Sequence, residues 1–306
     1  MNIYLLSPIN KSTKELFPTF IKTFEEQGHT FTSGVYDSTV CFMDLFSGLG
    51  EYNQSVLNEI VERKIPIVYF DAFDYGGCKD GTEEWFGFDA MKYKGTAWCD
   101  FFWRTIAYCK VVYFMRKKDK TKDYPKWVYS YELTMYEDHI FEPVTADELF
   151  NRPYDIFFAG NESPARRSVY EGLKDTGLKL DWYWSNEGGK LPHDEWVNRA
   201  RQSKLFAACD GGGYNCERIY QLIYTGVLLK QRNNQFVLRD FTHGFSCLKV
   251  SEIPLSHEID FIQKILSNKE RLHNIYTLGI KNIEKYYNPQ FRASYILQVL
   301  FQNGIN

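Results

Sequence analysis

Three groups of residues in this chain have the types and spacing to do chemistry. The first lies in DIFFAGNESPARRSVYEGL, where Gly160 and Asn161 are followed closely by Arg166 and Arg167. A glycine lets the backbone approach a ligand closely, and arginine grips phosphate through paired N–H donors. The other reading is a solvated helix start with surface arginines. The second group lies in LFAACDGGGYNCERIYQLIYTGVLLKQ, residues 205–231. Gly211, Gly212 and Gly213 allow a tight turn, Arg218 sits near the start of the helix that follows, and Gln221 comes one turn later. A glycine turn feeding a helix start suits an anion, because free N–H groups point at it. The third group is Asp71 and Asp74 in PIVYFDAFDYGG. A carboxylate just past a strand can serve as a general base, or it can simply cap the turn.

These patterns also exclude chemistry. The second turn fits the dinucleotide fingerprint G-x-G-x-x-G poorly, since Cys216 stands where the third glycine belongs and Asp240 comes too late for the ribose acid. Asp71 and Asp74 are spaced D-x-x-D rather than D-x-D, which gives no reason to infer a metal. The seven cysteines form no CxxC pair and the histidines are scattered, so zinc-ligand spacing is lacking. Packed, reduced thiols are expected.

The elements that must position these residues alternate strand and helix. Strands are predicted over Asn2–Leu6, Thr39–Asp44, Ile65–Asp71, Lys110–Met115, Tyr154–Ala159, Lys179–Trp184 and Leu205–Cys209, with another beginning at Val227. Helices are predicted over Lys14–Gln27, closed by Gly28, and over Gln54–Lys64, Asp100–Tyr108, Arg166–Thr176 and Glu217–Tyr224. Repeated βα units imply parallel sheets covered by helices on both faces. The proline-bearing stretch Glu142–Pro153 reads as a linker between domains 1–150 and 151–287, and a last helix is expected near Phe291–Phe301.

Composition bounds the class. A chain of 306 residues can hold two cores. Hydrophobic residues make up 44% and charged residues 25%, as in ordinary globular proteins. A net charge of −3 sets up no global field for nucleic acid. One local basic run remains, with Lys117, Lys118 and Lys120 beside Tyr124, Trp127, Tyr129 and Tyr131. Such a run can contact phosphates and an unstacked base, or be a solvated loop next to core aromatics. No stretch is apolar enough to span a membrane, and the N-terminus is too polar for a signal peptide, so a cytoplasmic protein is expected.

Together these segments resemble the GT-B glycosyltransferases. That resemblance implies an α/β protein with two Rossmann-like domains facing a cleft. Residues 151–287 would be the nucleotide-sugar domain, and the helix in 288–306 would return to the first. It implies a nucleotide-diphosphate sugar as donor, with UDP as the expected nucleotide, and no required cofactor. Arg218 matches the family arginine that reaches the diphosphate. Gly160, Asn161, Arg166, Arg167, Gly212 and Gly213 would complete the donor site. Gln221 falls where the family has an acid on the donor ribose; an amide still bonds hydroxyls, but less strongly. If transfer inverts the anomeric centre, Asp71 or Asp74 would take the acceptor's proton; a retaining transfer needs no such base.

A narrower resemblance is to the phage DNA β-glucosyltransferases, carried by GNESPARR running into LKDTGLKLDWYW and by the aspartates after IPIVYF. It implies a hydroxymethylated base in double-stranded DNA as acceptor, Lys117, Lys118 and Lys120 as DNA contacts, and a host-cytoplasmic location. A glycan or protein acceptor, or a binding protein without catalysis, remain the alternatives.

Overall fold

A computed structural model describes residues 1–6, 21–44, 54–71, 97–115, 126–130, 141–209, 217–232 and 240–306. The chain divides into two compact units. Met1–Thr134 and Asn288–Asn306 belong to the first; Met135–Asn233 and Arg239–Tyr287 belong to the second.

The first unit is built on a parallel sheet of β1 (Asn2–Leu6), β2 (Thr30–Thr32), β3 (Val40–Asp44), β4 (Ile67–Asp71), β5 (Val111–Met115) and β6 (Val128–Ser130), in the order β2-β1-β3-β4-β5-β6. The central strands read as unbroken apolar runs because both faces are covered. Ile3, Val40, Ile67, Val68, Val112 and Phe114 are buried. Helices α1 (Gln54–Glu62) and α2 (Ala97–Tyr108) supply Leu57, Ile60 and Phe101 to one core cluster. The helix turn over 21–26 ends at Gly28, whose φ of 83° explains the glycine there.

Strand β6 departs from the sequence expectation. The basic, aromatic stretch contains a strand, and two of its aromatic rings are packed into this unit. Trp127 meets Tyr113 edge-on, and Tyr129 lies against Phe114. Both rings are half-buried in this unit. Lys117, Lys118 and Lys120 lie outside the described residues.

The second unit holds β7 (Tyr154–Gly160), β8 (Leu180–Trp184), β9 (Ser203–Ala208), β10 (Val227–Gln231) and β11 (Leu248–Val250) in the order β11-β10-β9-β7-β8, all parallel. The stretch expected to be a linker contains a helix, α3 (Ala146–Phe150). Thr145 and Glu148 cap it reciprocally, and Leu149 is fully buried. Helix α4 (Pro164–Lys174) follows β7, starting earlier than expected because Ser163 accepts the Arg166 N–H and Pro164 opens the first turn. After β8 come a short helix α5 (Ser185–Gly188) and α6 (His193–Arg201). Helix α7 (Glu217–Leu222) joins β9 to β10 and stops two residues short of the expected Tyr224. Gly226 then passes so close to β9 that a Cβ would lie 2.9 Å from the Lys204 carbonyl. Two helices absent from the sequence expectations, α8 (Ser256–Leu266) and α9 (Lys269–Tyr286), complete the unit. Helix α10 (Pro289–Gln302) belongs with the first unit. There Tyr295 packs on Phe114, Lys110 donates to the Gly304 carbonyl at 3.0 Å, and Asn303 donates to the Tyr129 hydroxyl at 2.8 Å.

One buried charge has a measurable consequence. Lys230 on β10 is buried, its ammonium 3.1 Å from Asp240, which Lys249 also contacts. Burial pulls Lys230 down to about 8, against the opposing pull of Asp240. An unfolded lysine titrates near about 10.4. Between these values the unfolded chain binds more protons, so the folded state gains stability as pH rises, and the full penalty is present below about 8. The melting temperature of Lys230→Met relative to wild type should therefore be most favourable near neutral pH and fall steadily towards about pH 10. A difference that stays flat across that range would show that Lys230 does not titrate this way.

Candidate functional site

The site grows out of the strand order of the second unit. β7 and β9 are neighbours, yet the chain leaves β7 for β8 on one side and reaches β9 from there. Open parallel sheets bind ligands at the carboxyl ends of such a pair. Gly160 ends β7, and the glycine turn of Gly211, Gly212 and Gly213 follows β9. That turn lies outside the described residues, so Gly212 and Gly213 are placed only by the strand before them and the helix after.

At Gly160 the geometry is concrete. A Cβ there would lie 2.7 Å from Arg218 Nη2, 3.2 Å from the tip of the Phe158 ring and 3.6 Å from Arg166 Nη1. The missing side chain is the space into which both guanidinium groups lean. Arg218 comes from α7 and donates to the Ala159 carbonyl at 2.7 Å. Its Nε and Nη1 are buried and have no hydrogen-bond partner among the described residues. Buried charged donors without acceptors are costly. An anion at this strand end would supply the acceptors they lack. Arg166 donates to the Asn161 carbonyl at 2.6 Å, which folds the loop after β7 back on itself.

Arg167 is placed differently, although it adjoins Arg166 in sequence. It donates to Glu162 at 2.6 Å, lies 3.8 Å from Glu187 and 4.0 Å from Glu171, and stacks on Trp184. The hydrogen bond from Arg167 lowers the Glu162 carboxyl below its usual range, and the same pair raises Arg167. The charge of Arg167 is answered locally. Asn186 accepts from the Glu162 N–H at 2.8 Å and ties the loop to α5. Gln221 is half-buried one turn after Arg218 on the same helix, a spacing that puts both on one face.

Asp71 is the last residue of β4 in the first unit, paired in register with Met115 of β5. This is the carboxyl edge of that sheet, as the apolar run before it predicts. Asp74 lies outside the described residues. Among the described residues, no group of three His, Cys, Asp or Glu side chains could hold a metal ion, and no helix is long and apolar enough to cross a membrane.

The two parallel α/β units, with the C-terminal helix in the first, have the GT-B fold. Solved structures give the same fold at very low sequence identity. Sucrose-phosphate synthase from Thermosynechococcus elongatus aligns with a TM-score of 0.54 at 11% identity, over 94% of this chain and 79% of that one. HepE from Anabaena, solved with UDP-glucose, aligns at 0.52 and 6%, over 98% of this chain and 99% of its own. An α-glucosyltransferase solved with UDP and a 13-mer DNA containing an HMU base aligns at 0.50 and 10%, over 98% and 99%. By sequence the chain matches no protein-family model and no curated protein.

Phe158, which lies beneath the two arginines, and Trp182, which stacks on it, do not stand out in the sequence. Their one signal is the aromatic density of IFF and WYW in adjacent predicted strands.

Proposed function

We propose that the chain is a glycosyltransferase that moves a sugar from a nucleoside-diphosphate sugar, with UDP as nucleotide, onto a hydroxyl group. The observation that carries this reading is Arg218, whose buried Nε and Nη1 lack acceptors among the described residues at the carboxyl end of β7. A diphosphate supplies those acceptors. As the bond from the anomeric carbon to the β-phosphate oxygen breaks, charge grows on that phosphate. Arg218, Arg166 and the positive end of the α4 dipole are suited to hold it. Arg167, held by its three carboxylates, plays at most an indirect part. The acceptor oxygen forms the new bond to the anomeric carbon. In an inverting transfer its proton passes to Asp71 or Asp74. That solved proteins of the same fold hold UDP-glucose or UDP supports the choice of donor.

For the acceptor we favour a hydroxymethylated base in DNA. The support is the sequence likeness to DNA glucosyltransferases and the fold shared with an enzyme solved on HMU-containing DNA. That neighbour is an α-glucosyltransferase, whereas the sequence motifs point to β-glucosyltransferases. A sugar hydroxyl is the second reading, favoured by the likeness to sucrose-phosphate synthase.

Thermal denaturation with UDP, UDP-sugars and GDP-sugars tests the donor, since a ligand that binds only the folded state raises its melting temperature. UDP and at least one UDP-sugar should raise it, and a radiolabelled UDP-sugar should be slowly hydrolysed. With hydroxymethylated duplex DNA, neutralising Lys117, Lys118 and Lys120 together should weaken binding and flatten its salt dependence, by a slope of about 0.9 for each phosphate no longer neutralised. Activity on a small glycan with no detectable DNA affinity would replace the DNA acceptor with a sugar. No stabilisation by any nucleotide would remove the glycosyltransferase reading itself.

A further inference from the structure

The two guanidinium groups at Gly160 share a support that belongs to no established role. Phe158 is fully buried, and its ring lies under both, 5.0 Å from Arg218 Cζ and 5.7 Å from Arg166 Cζ. Trp182 stacks on the same ring, with centroids 4.5 Å apart and planes 22° from parallel. The stack follows from register, because Phe158 and Trp182 are direct partners on β7 and β8. Tyr170 of α4 braces Trp182 at 5.4 Å. Arg167 offers the contrast. It lies one residue from Arg166 and is held by Glu162, Glu171 and Glu187. Carboxylates fix a guanidinium by consuming its N–H donors and cancelling its charge. An aromatic face attracts the cation while leaving its in-plane donors available.

We propose that Phe158, backed by Trp182, is a positioning residue that holds Arg218 over the Gly160 gap without discharging it, so that an incoming diphosphate meets pre-placed donors. This rests on the diphosphate-site reading above. Phe158 itself touches no ligand; it acts through Arg218. Its removal should therefore matter only while Arg218 is present. Arg218 is the residue to test, because it lies close over the ring and its Nε and Nη1 are buried without acceptors among the described residues.

The experiment is a double-mutant cycle on the full chain, with UDP as the probe and calorimetry as the readout. Phe158→Leu keeps the site apolar but removes the ring; Phe158→Met serves the same end should the leucine variant fold poorly. Either should weaken UDP binding about three- to thirtyfold, the range of a desolvated cation–aromatic contact. Trp182→Phe, which preserves a stacked ring, should bind UDP within about twofold of wild type, whereas Trp182→Leu should follow Phe158→Leu. In an Arg218→Ala background, Phe158→Leu should cause no further weakening, because the residue it positions is gone. Effects that add in the double variant, or wild-type affinity in Phe158→Leu, would overturn the positioning role and leave the diphosphate site standing. Absence of UDP binding by the wild-type chain would overturn the site together with its support.

Discussion

Asparagine at Asp71 or at Asp74 is expected to lower sugar transfer by about 10²–10⁴-fold, the usual contribution of a general base, while UDP affinity stays at the wild-type value. Asp71 ends β4 at the carboxyl edge of the first sheet. It belongs to a different unit from Arg218, so donor binding and proton removal are separable by mutation. Steady-state turnover and UDP calorimetry on the same variants check this. The base should also leave a pH signature: the wild-type rate falls on the acid side as the carboxylate protonates, and the asparagine variant lacks that limb. Full turnover in both variants would point to a retaining transfer, or to another carboxylate such as Glu83 or Asp89.

The second large effect belongs to Arg218. Arg218→Ala should weaken UDP binding by about 1.5–3 kcal/mol, the range for hydrogen bonds to charged groups. Gly160→Val should act in the same direction by a different route. Its Cβ would enter the space 2.7 Å from Arg218 Nη2 and displace the guanidinium from the Ala159 carbonyl. Arg167→Ala should cost less than either, because that side chain is already occupied by Glu162 and its neighbours. Unchanged UDP affinity in Arg218→Ala and Arg166→Ala, with the fold intact by circular dichroism, would remove the phosphate site.

How much of this is legible in the sequence depends on the range of the interaction. Apolar runs such as Ile67–Phe70 and Leu205–Ala208 announce buried parallel strands, because the pattern is local. Gly160 and Arg218 can be picked out because a glycine at a strand end and a basic helix start are themselves local signals. Arg167 cannot be told from Arg166, because Glu162 lies within sequence reach of both and only the folded loop decides that Arg167 donates to it while Arg166 turns to the Asn161 carbonyl. The Phe158–Trp182 stack is a matter of strand register, and register between β7 and β8 is written in no short motif. Helix α3 is obscured by the prolines around it, although Thr145 and Glu148 form the capping pair that signals a helix start. The aromatics Trp127 and Tyr129 carry two readings because ring-rich sequence suits a core as well as a nucleobase. Their packing against Tyr113 and Phe114 shows that both rings help cover the core.

The return of α10 to the first unit also bears on how the molecule is made. Residues 288–306 leave the ribosome after the whole of the second unit, yet Ile296, Val299 and Leu300 are buried and Tyr295 covers Phe114 of β5. The first unit is thus translated first and finished last. Its sheet waits with the surface around Phe114 uncovered until those residues emerge. The order of synthesis and the order of completion run opposite ways, and the interval between them is when the uncovered apolar face at Phe114 is most open to chaperones or to aggregation.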